Sequence, residues 1–216
     1  MTLVSVAVAM LVLLVEAPVP VVLAANDAPG VVSGRAYQER VRPTAADLPL
    51  LGVDVMVVPR SDAFLERLES IKAHARDSLQ NYETAATELQ LARDAYEREL
   101  QASGRAGTVF KTAVKPDGTF SVTNVPPGSW TVIGIKSVVL RQDRNLEQKL
   151  DKDASTFIPV PRLKAVRDLT MWVKDVTVAS GEPVTVELTD RNHWFSGVLE
   201  ERKMLRPAPP KSGGQR

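Results

Sequence analysis

A chain of 216 residues that is 44% hydrophobic and 25% charged is long enough to bury one core of ordinary size and too apolar to stay unfolded. Its 27 Lys and Arg against 26 Asp and Glu leave a formal net charge of +1, which excludes bulk electrostatic binding to nucleic acid or to an anionic membrane. The absence of cysteine excludes thiol catalysis, disulfide staples and a lipid-modified N-terminal cysteine.

The first element in chain order is an address. Leu3 to Val15 is apolar and uncharged, Glu16 and two prolines interrupt it, and Val22-Leu23-Ala24-Ala25 places small residues where a signal peptidase would cut. Residues 1–25 therefore read as a secretory signal that sends the protein to the periplasm or outside the cell. No Lys or Arg precedes the run, and Leu3 to Ala25 also has the length of a membrane span. An uncleaved anchor is the other reading, with Glu16 costing it about 2 kcal/mol or more; only in that case is the membrane a partner.

Strand patterns fall near residues 31–37, 53–58, 107–114, 119–123, 129–139, 156–160, 169–178 and 183–189, which suits a mainly β fold of seven or eight strands in a two-sheet sandwich. The stretch Lys115 to Ile135 (KPDGTFSVTNVPPGSWTVIGI) is the most explicit. Asp117-Gly118 supplies the positive φ values of a tight hairpin turn, Phe120, Val122, Trp130 and Val132 alternate with polar residues, and Pro126-Pro127-Gly128 reverses the chain again. A hairpin, a second turn and a third strand are expected.

Helix enters between Asp62 and Ser103, which contain neither Gly nor Pro. Phe64, Leu68, Ile71, Ala75, Leu79, Tyr82, Ala86, Leu89, Tyr96 and Leu100 recur there at intervals of three and four, with Arg93 interrupting the stripe. Ser61 or Asp62 can cap the start and Gly104 can end it in a left-handed residue. One helix of about 40 residues would be about 60 Å long, against about 30 Å for a sandwich strand, so the insertion 62–103 is expected to fold back as two antiparallel helices, a continuous rod implying strand exchange between two chains. The turn is expected between Asp77 and Thr84, with Ser78, Asn81 and Thr84 as candidate caps. Two arrangements satisfy the pattern: a flap packed on one sheet face, or a projecting antiparallel coiled coil that binds another envelope protein or self-associates. Tyr82, Leu89 and Tyr96 are the protein-contact candidates, and the acidic excess of the insertion favours a basic partner surface.

Further along, Arg141 to Asp153 is too charged to bury and reads as a solvated loop or a short helix around Leu146 to Leu150. Phe157-Ile158-Pro159-Val160-Pro161 reads as an edge segment, since proline cannot donate to a central ladder. In Leu169 to Val178, Met171 and Val173 share one face and Trp172 takes the other. Residues 203–216, with Lys203, Arg206, Lys211 and Arg216 among prolines and glycines, read as a disordered basic tail, leaving 26–202 for the sandwich.

The Asp-Gly turn, Phe120, the Pro-Gly turn and Trp130 together resemble the carboxypeptidase regulatory-like domain, a transthyretin-like (prealbumin-type) sandwich. Val31 to Ala36 is similar to its opening strand, Pro49 to Pro59 (PLLGVDVMVVP) to its second strand, and Val176 to Leu188 to its closing hairpin. The resemblance covers about half of the chain in four blocks and implies a non-catalytic scaffold. Transthyretin-like hydrolases of purine breakdown carry strand histidines and a Tyr-Arg-Gly-Ser terminus, neither of which occurs here. Pilin-type Cna B domains cross-link a first-strand Lys with the help of a Glu; the first strand here offers Arg35, and Trp130 to Ile135 holds no Glu. No activity is carried over.

Direct chemical signals are few. His74 lies among charged helix neighbours and reads as solvated. His193 sits in Thr189-Asp190-Arg191-Asn192-His193-Trp194, where Asp190, Asn192 and His193 either hydrogen-bond a ligand beside Trp194 or form a capped turn leading into a short helix. Neither a zinc nor a calcium pattern exists, no cofactor is called for, and paired carboxylates for glycoside hydrolysis stay open because their separation belongs to the fold. Trp130, Trp172 and Trp194 are the available sugar platforms. Trp130 reads as core, while Trp172 and Trp194 are ligand candidates; two exposed on one face would favour glycan binding. The expected function is thus a non-enzymatic, exported interaction or structural module of the cell envelope acting through the helical hairpin, with a carbohydrate-binding module as the alternative.

Overall fold

The computed structural model describes residues 28–40, 46–142 and 161–204. Among them, β1 (Gly30–Gln38), β2 (Leu48–Pro49), β3 (Val53–Pro59), α1 (Asp62–His74), α2 (Leu79–Ala102), β4 (Phe110–Ala113), β5 (Thr119–Val125), β6 (Gly128–Gln142), β7 (Pro161–Val178), β8 (Pro183–Thr189) and β9 (Phe195–Met204) follow in chain order. The fold is mainly β, in two sheets, with two helices. In the first sheet β1 is central. It pairs in parallel with β8 from Val31 to Tyr37 on one edge, and antiparallel with β5 and then β2 on the other. The second sheet runs β4-β3-β6-β7-β9, antiparallel throughout.

Period-two alternation sends the side chains of the second sheet to two different cores. Val53, Val55, Val57, Trp130, Val132 and Trp172 meet Val32, Ala36, Phe120, Val122, Val186 and Leu188 of the first sheet. The intervening Met56, Val58, Ile133, Ile135, Leu169 and Met171 face outward and are covered by Phe64, Leu68, Leu89, Tyr96 and Leu100 of the helices. Burial on both faces is why β3 and the first half of β6 read as nearly continuous apolar runs.

The helices form as a flap on this outer face and not as a projecting coiled coil. The Ser61 hydroxyl accepts the Phe64 N–H and starts α1. Ala75 closes it, and the Ser78 hydroxyl accepts the Asn81 N–H to start α2. The turn therefore spans Ala75 to Ser78, at the early margin of the expected window, and the Asn81 amide donates across it to the His74 carbonyl at 3.0 Å. Gly104 ends the pair at φ 75°. The α2 helix crosses the sheet diagonally, from Ala86 over Gly197 of β9 to the β3–β4 side, where the Tyr96 hydroxyl donates to the Pro59 carbonyl at 2.9 Å and Lys111 meets Glu97 at 2.6 Å. Leu89 is 0% exposed, and Tyr96 is buried and stacked on Phe64 with ring centroids 4.4 Å apart, so neither is available as an outward contact. That burial pushes the Tyr96 phenol above its usual range.

Several expectations need correction. The Asp117-Gly118 turn does not close a hairpin within one sheet: β4 belongs to the second sheet, β5 to the first, and β6 to the second again. Only Gly118 adopts positive φ, at 82°. Its N–H bonds to the Lys115 carbonyl at 2.9 Å, while the Asp117 carboxylate accepts the Thr119 N–H and hydroxyl and is held below its usual pKa by them. Residues 190–194 lead into β9 and not into a helix, and β2 and β9 are additional strands. The β6 and β7 strands reach Gln142 and start at Pro161, longer than expected. The segments 1–25, 143–160 and 205–216, with the expectations that fall on them, lie outside the described residues; positions 203 and 204 of the expected tail form the end of β9.

Two substitutions test this packing. Leu89→Ala is expected to cost about 2–5 kcal/mol by urea denaturation, whereas Leu91→Ala on the exposed side of α2 costs about 0.5 kcal/mol or less; equal small losses would contradict the flap. At Gly34 an added Cβ collides with the Val186 carbonyl and the Phe120 ring, its neighbours on either edge of β1, so Gly34→Ala is expected to cost at least about 1–3 kcal/mol.

Candidate functional site

The chain between β8 and β9 is built from side-chain bonds to its own backbone. The Thr189 hydroxyl accepts the N–H groups of Arg191 and Asn192. The Asn192 amide oxygen accepts the Thr189 N–H at 2.8 Å, and its nitrogen donates to the Glu187 carbonyl at 3.0 Å. Asp190 accepts the Glu39 N–H at 2.8 Å, and Arg191 pairs with Glu39 at 3.2 Å. Below the loop, buried Trp172 donates its indole N–H to the Thr189 carbonyl at 2.7 Å. The Trp194 N–H bonds to the Met171 carbonyl of β7. The side chains of Thr189, Asp190, Arg191 and Asn192 thus fix the loop's path, which holds Trp194 against α1.

There the Trp194 indole N–H donates to Glu69 at 2.7 Å, and the Lys72 ammonium stands 4.5 Å from the ring centroid and 3.5 Å from Glu69. These groups form one side of an open groove of about 610 Å³ whose walls continue through Arg76, Tyr82 and His193. A carbonyl can only accept, so His193 carries its proton on Nδ1 and donates it to the Asp190 carbonyl at 2.8 Å, leaving Nε2 for the groove. His74 does the same to the Ser70 carbonyl at 2.7 Å, and its ring is exposed on α1, as a solvated helix residue should be.

The candidate residues separate accordingly. Tyr82, His193 and Trp194 come together at the groove. Asp190 and Asn192 lie in the adjoining loop, the Asp190 carboxylate turned to the Glu39 N–H beyond β1 and the Asn192 amide to Thr189 and Glu187 of β8. Trp172 is 1% exposed and belongs to the core between the sheets: it does face away from Met171, yet the first sheet covers it while the helices cover Met171. Trp130 is core as well, donating to the Pro126 carbonyl at 2.9 Å. Leu89 and Tyr96 lie beneath α2. Sequence reasoning missed Glu69, Lys72, Arg76 and Leu79. The usable signal was a Glu-Lys pair three apart, followed by cations at the C-terminal end of α1, where the helix dipole favours positive charge.

A smaller recess of about 410 Å³ explains Arg93. It lies where α2 leaves a corner of the second sheet uncovered, over Met56, Ile133 and Ile135. The guanidinium escapes the apolar stripe there and holds Asp94 through two nitrogens at 2.7 and 3.0 Å. Among the described residues, no group of three or more His, Asp or Glu is arranged to hold a metal ion.

No protein-family model matches the chain, and no curated protein matches it in sequence. Among solved structures, a Pseudomonas aeruginosa protein described as a "putative carbohydrate binding protein" aligns over 77% of this chain and 92% of its own, at 15% identity and a TM-score of 0.41. A likeness of that degree carries no argument about ligand or mechanism.

The loop architecture is testable. Asn192→Ala leaves the Thr189 N–H and the Glu187 carbonyl without partners and is expected to lower stability by about 1–3 kcal/mol in urea titrations. A variant as stable as the parent would show that the loop holds its path without Asn192.

Proposed function

We propose that this protein is a non-enzymatic recognition module of the cell envelope, in which a transthyretin-like sandwich serves as a rigid mount and the turn end of the helical hairpin contacts another protein. The observation that carries this reading is the exposure of Tyr82 (43%) on the wall of the groove that Trp194 also lines, with exposed Leu79 (74%) one helical turn before it. Tyr, Trp and Arg around a concave apolar site are the composition of binding hot spots. The contact surface thereby moves from the buried Leu89 and Tyr96 to the tip of the same insertion.

Against glycan binding, a sugar platform needs an open aromatic face, and Trp130 and Trp172 are enclosed while Lys72 stands on Trp194. Against catalysis, the His193 ring is oriented by a backbone carbonyl in place of a carboxylate, and no hydroxyl among the described residues hydrogen-bonds it, so a nucleophile and base are not coupled. The transthyretin-like assignment is supported by the resembling blocks, which fall on β1, β2–β3, β5–β6 and β7–β8 of the two sheets. Export rests on the N-terminal sequence; no helix among the described residues is long and apolar enough to cross a membrane.

Removal of residues 62–103 would bare the outer face of the second sheet, so surface substitutions are the proper test. Leu79→Ser and Tyr82→Ala are expected to reduce cross-linked recovery of an envelope partner about tenfold or more, a loss of about 1.4 kcal/mol, with unchanged thermal unfolding. Full recovery with both variants would remove the hairpin tip as the contact surface.

A further inference from the structure

The insertion as a whole is acidic, yet only one of its carboxylates lines the groove. Glu69 is the single acidic residue on the walls, and it is already engaged by the Trp194 indole and by Lys72. Arg76, by contrast, makes no ion pair or hydrogen bond among the described residues, and the His193 ring lines the same space. The groove therefore carries uncompensated positive charge in a protein whose formal net charge is only +1. Leu79 and Tyr82 add an apolar border on the α2 side.

From this juxtaposition we infer that the partner offers the groove an acidic peptide segment carrying one large apolar side chain. The Arg76 guanidinium is the docking point for an Asp or Glu, because its planar fork matches a carboxylate in two parallel hydrogen bonds. Lys72, paired with Glu69, and the His193 ring line the groove beside it, while Leu79 and Tyr82 receive the apolar anchor. An acidic polysaccharide would satisfy the charge but not the rest: the indole face on which a sugar ring would stack is covered by Lys72, and what remains exposed is an aliphatic side chain and a phenol. This inference rests on the recognition reading above, and the experiment separates the two.

Random peptides displayed on phage are selected on the whole protein and on its Arg76→Glu, Arg76→Lys and Tyr82→Ala variants, with an oligouronate tested in parallel. The parent is expected to enrich peptides with Asp or Glu flanking Leu, Phe or Trp. The synthetic form of the best peptide should bind more weakly as salt rises. Arg76→Glu should weaken it tenfold or more, and Arg76→Lys should restore part of the loss. Enrichment that Tyr82→Ala abolishes, but that shows no acidic bias and ignores Arg76→Glu, overturns the acidic partner while leaving the recognition surface standing. Oligouronate binding without peptide enrichment overturns the inference in favour of a glycan. No enrichment and no oligouronate binding on the parent overturns both readings.

Discussion

From Val53 to Val58, Trp130 to Ile135 and Leu169 to Trp172 the central strands of the second sheet send apolar side chains into both of its faces, and the rest of the molecule is organised by that fact. Met56, Ile133 and Met171 point away from the first sheet as firmly as Val55, Val132 and Trp172 point toward it. A two-layer sandwich would leave the outward set in water, so a third layer is obligatory. The insertion between β3 and β4 supplies it. Its two helices exist as a pair because one straight rod could not both cover the sheet and return the chain to β4.

The groove is a product of the same arrangement. The α1 helix packs against α2, with Phe64 stacked on Tyr96, and its Glu69 meets Trp194, which brings Lys72 and Arg76 beside the chain entering β9. That chain cannot drift, since Thr189 and Asn192 lock it and Trp172 anchors it from below. Glu69 and Lys72 then fix the Trp194 ring from opposite sides of its chemistry, a hydrogen bond at the edge and a cation at the face. A preformed concavity of this kind loses little conformational entropy when it binds, which is how a modest surface gains affinity.

Much of the scaffold was legible in the sequence and much of the site was not, for identifiable reasons. Alternation located β1, β3, β5, β6, β7 and β8 and correctly opposed Met171 to Trp172, but it says only that a face is apolar, never which layer covers it, so Trp172 passed for a ligand candidate. The same limitation applied to Leu89 and Tyr96: a stripe at helical spacing marks a buried side, and the sheet below, contributed by residues up to about a hundred positions distant in sequence, decided what buried it. The helix reversal lacked Gly or Pro and was carried by Ser78 alone. In Thr189 to Trp194 the chemistry of side-chain turns was visible, but it also fits a helix cap, and β9 is too charged in its second half to announce itself as a strand. The groove joins residues 69–82 to 193–196, a proximity that no local pattern encodes.

The parallel pairing of β1 with β8 has a kinetic consequence. Val31 meets Pro183 and Tyr37 meets Thr189, so the first sheet cannot be zipped until nearly the whole chain has emerged. Before then β1 presents an unpaired apolar border with no neighbour to its right place in the ladder. Contacts of such long sequence separation are slow to form, and a nascent chain with an open border is vulnerable to sticking to others like it. Maturation of this protein is therefore gated by its C-terminal third, and truncations there should yield aggregates and not smaller folded bodies.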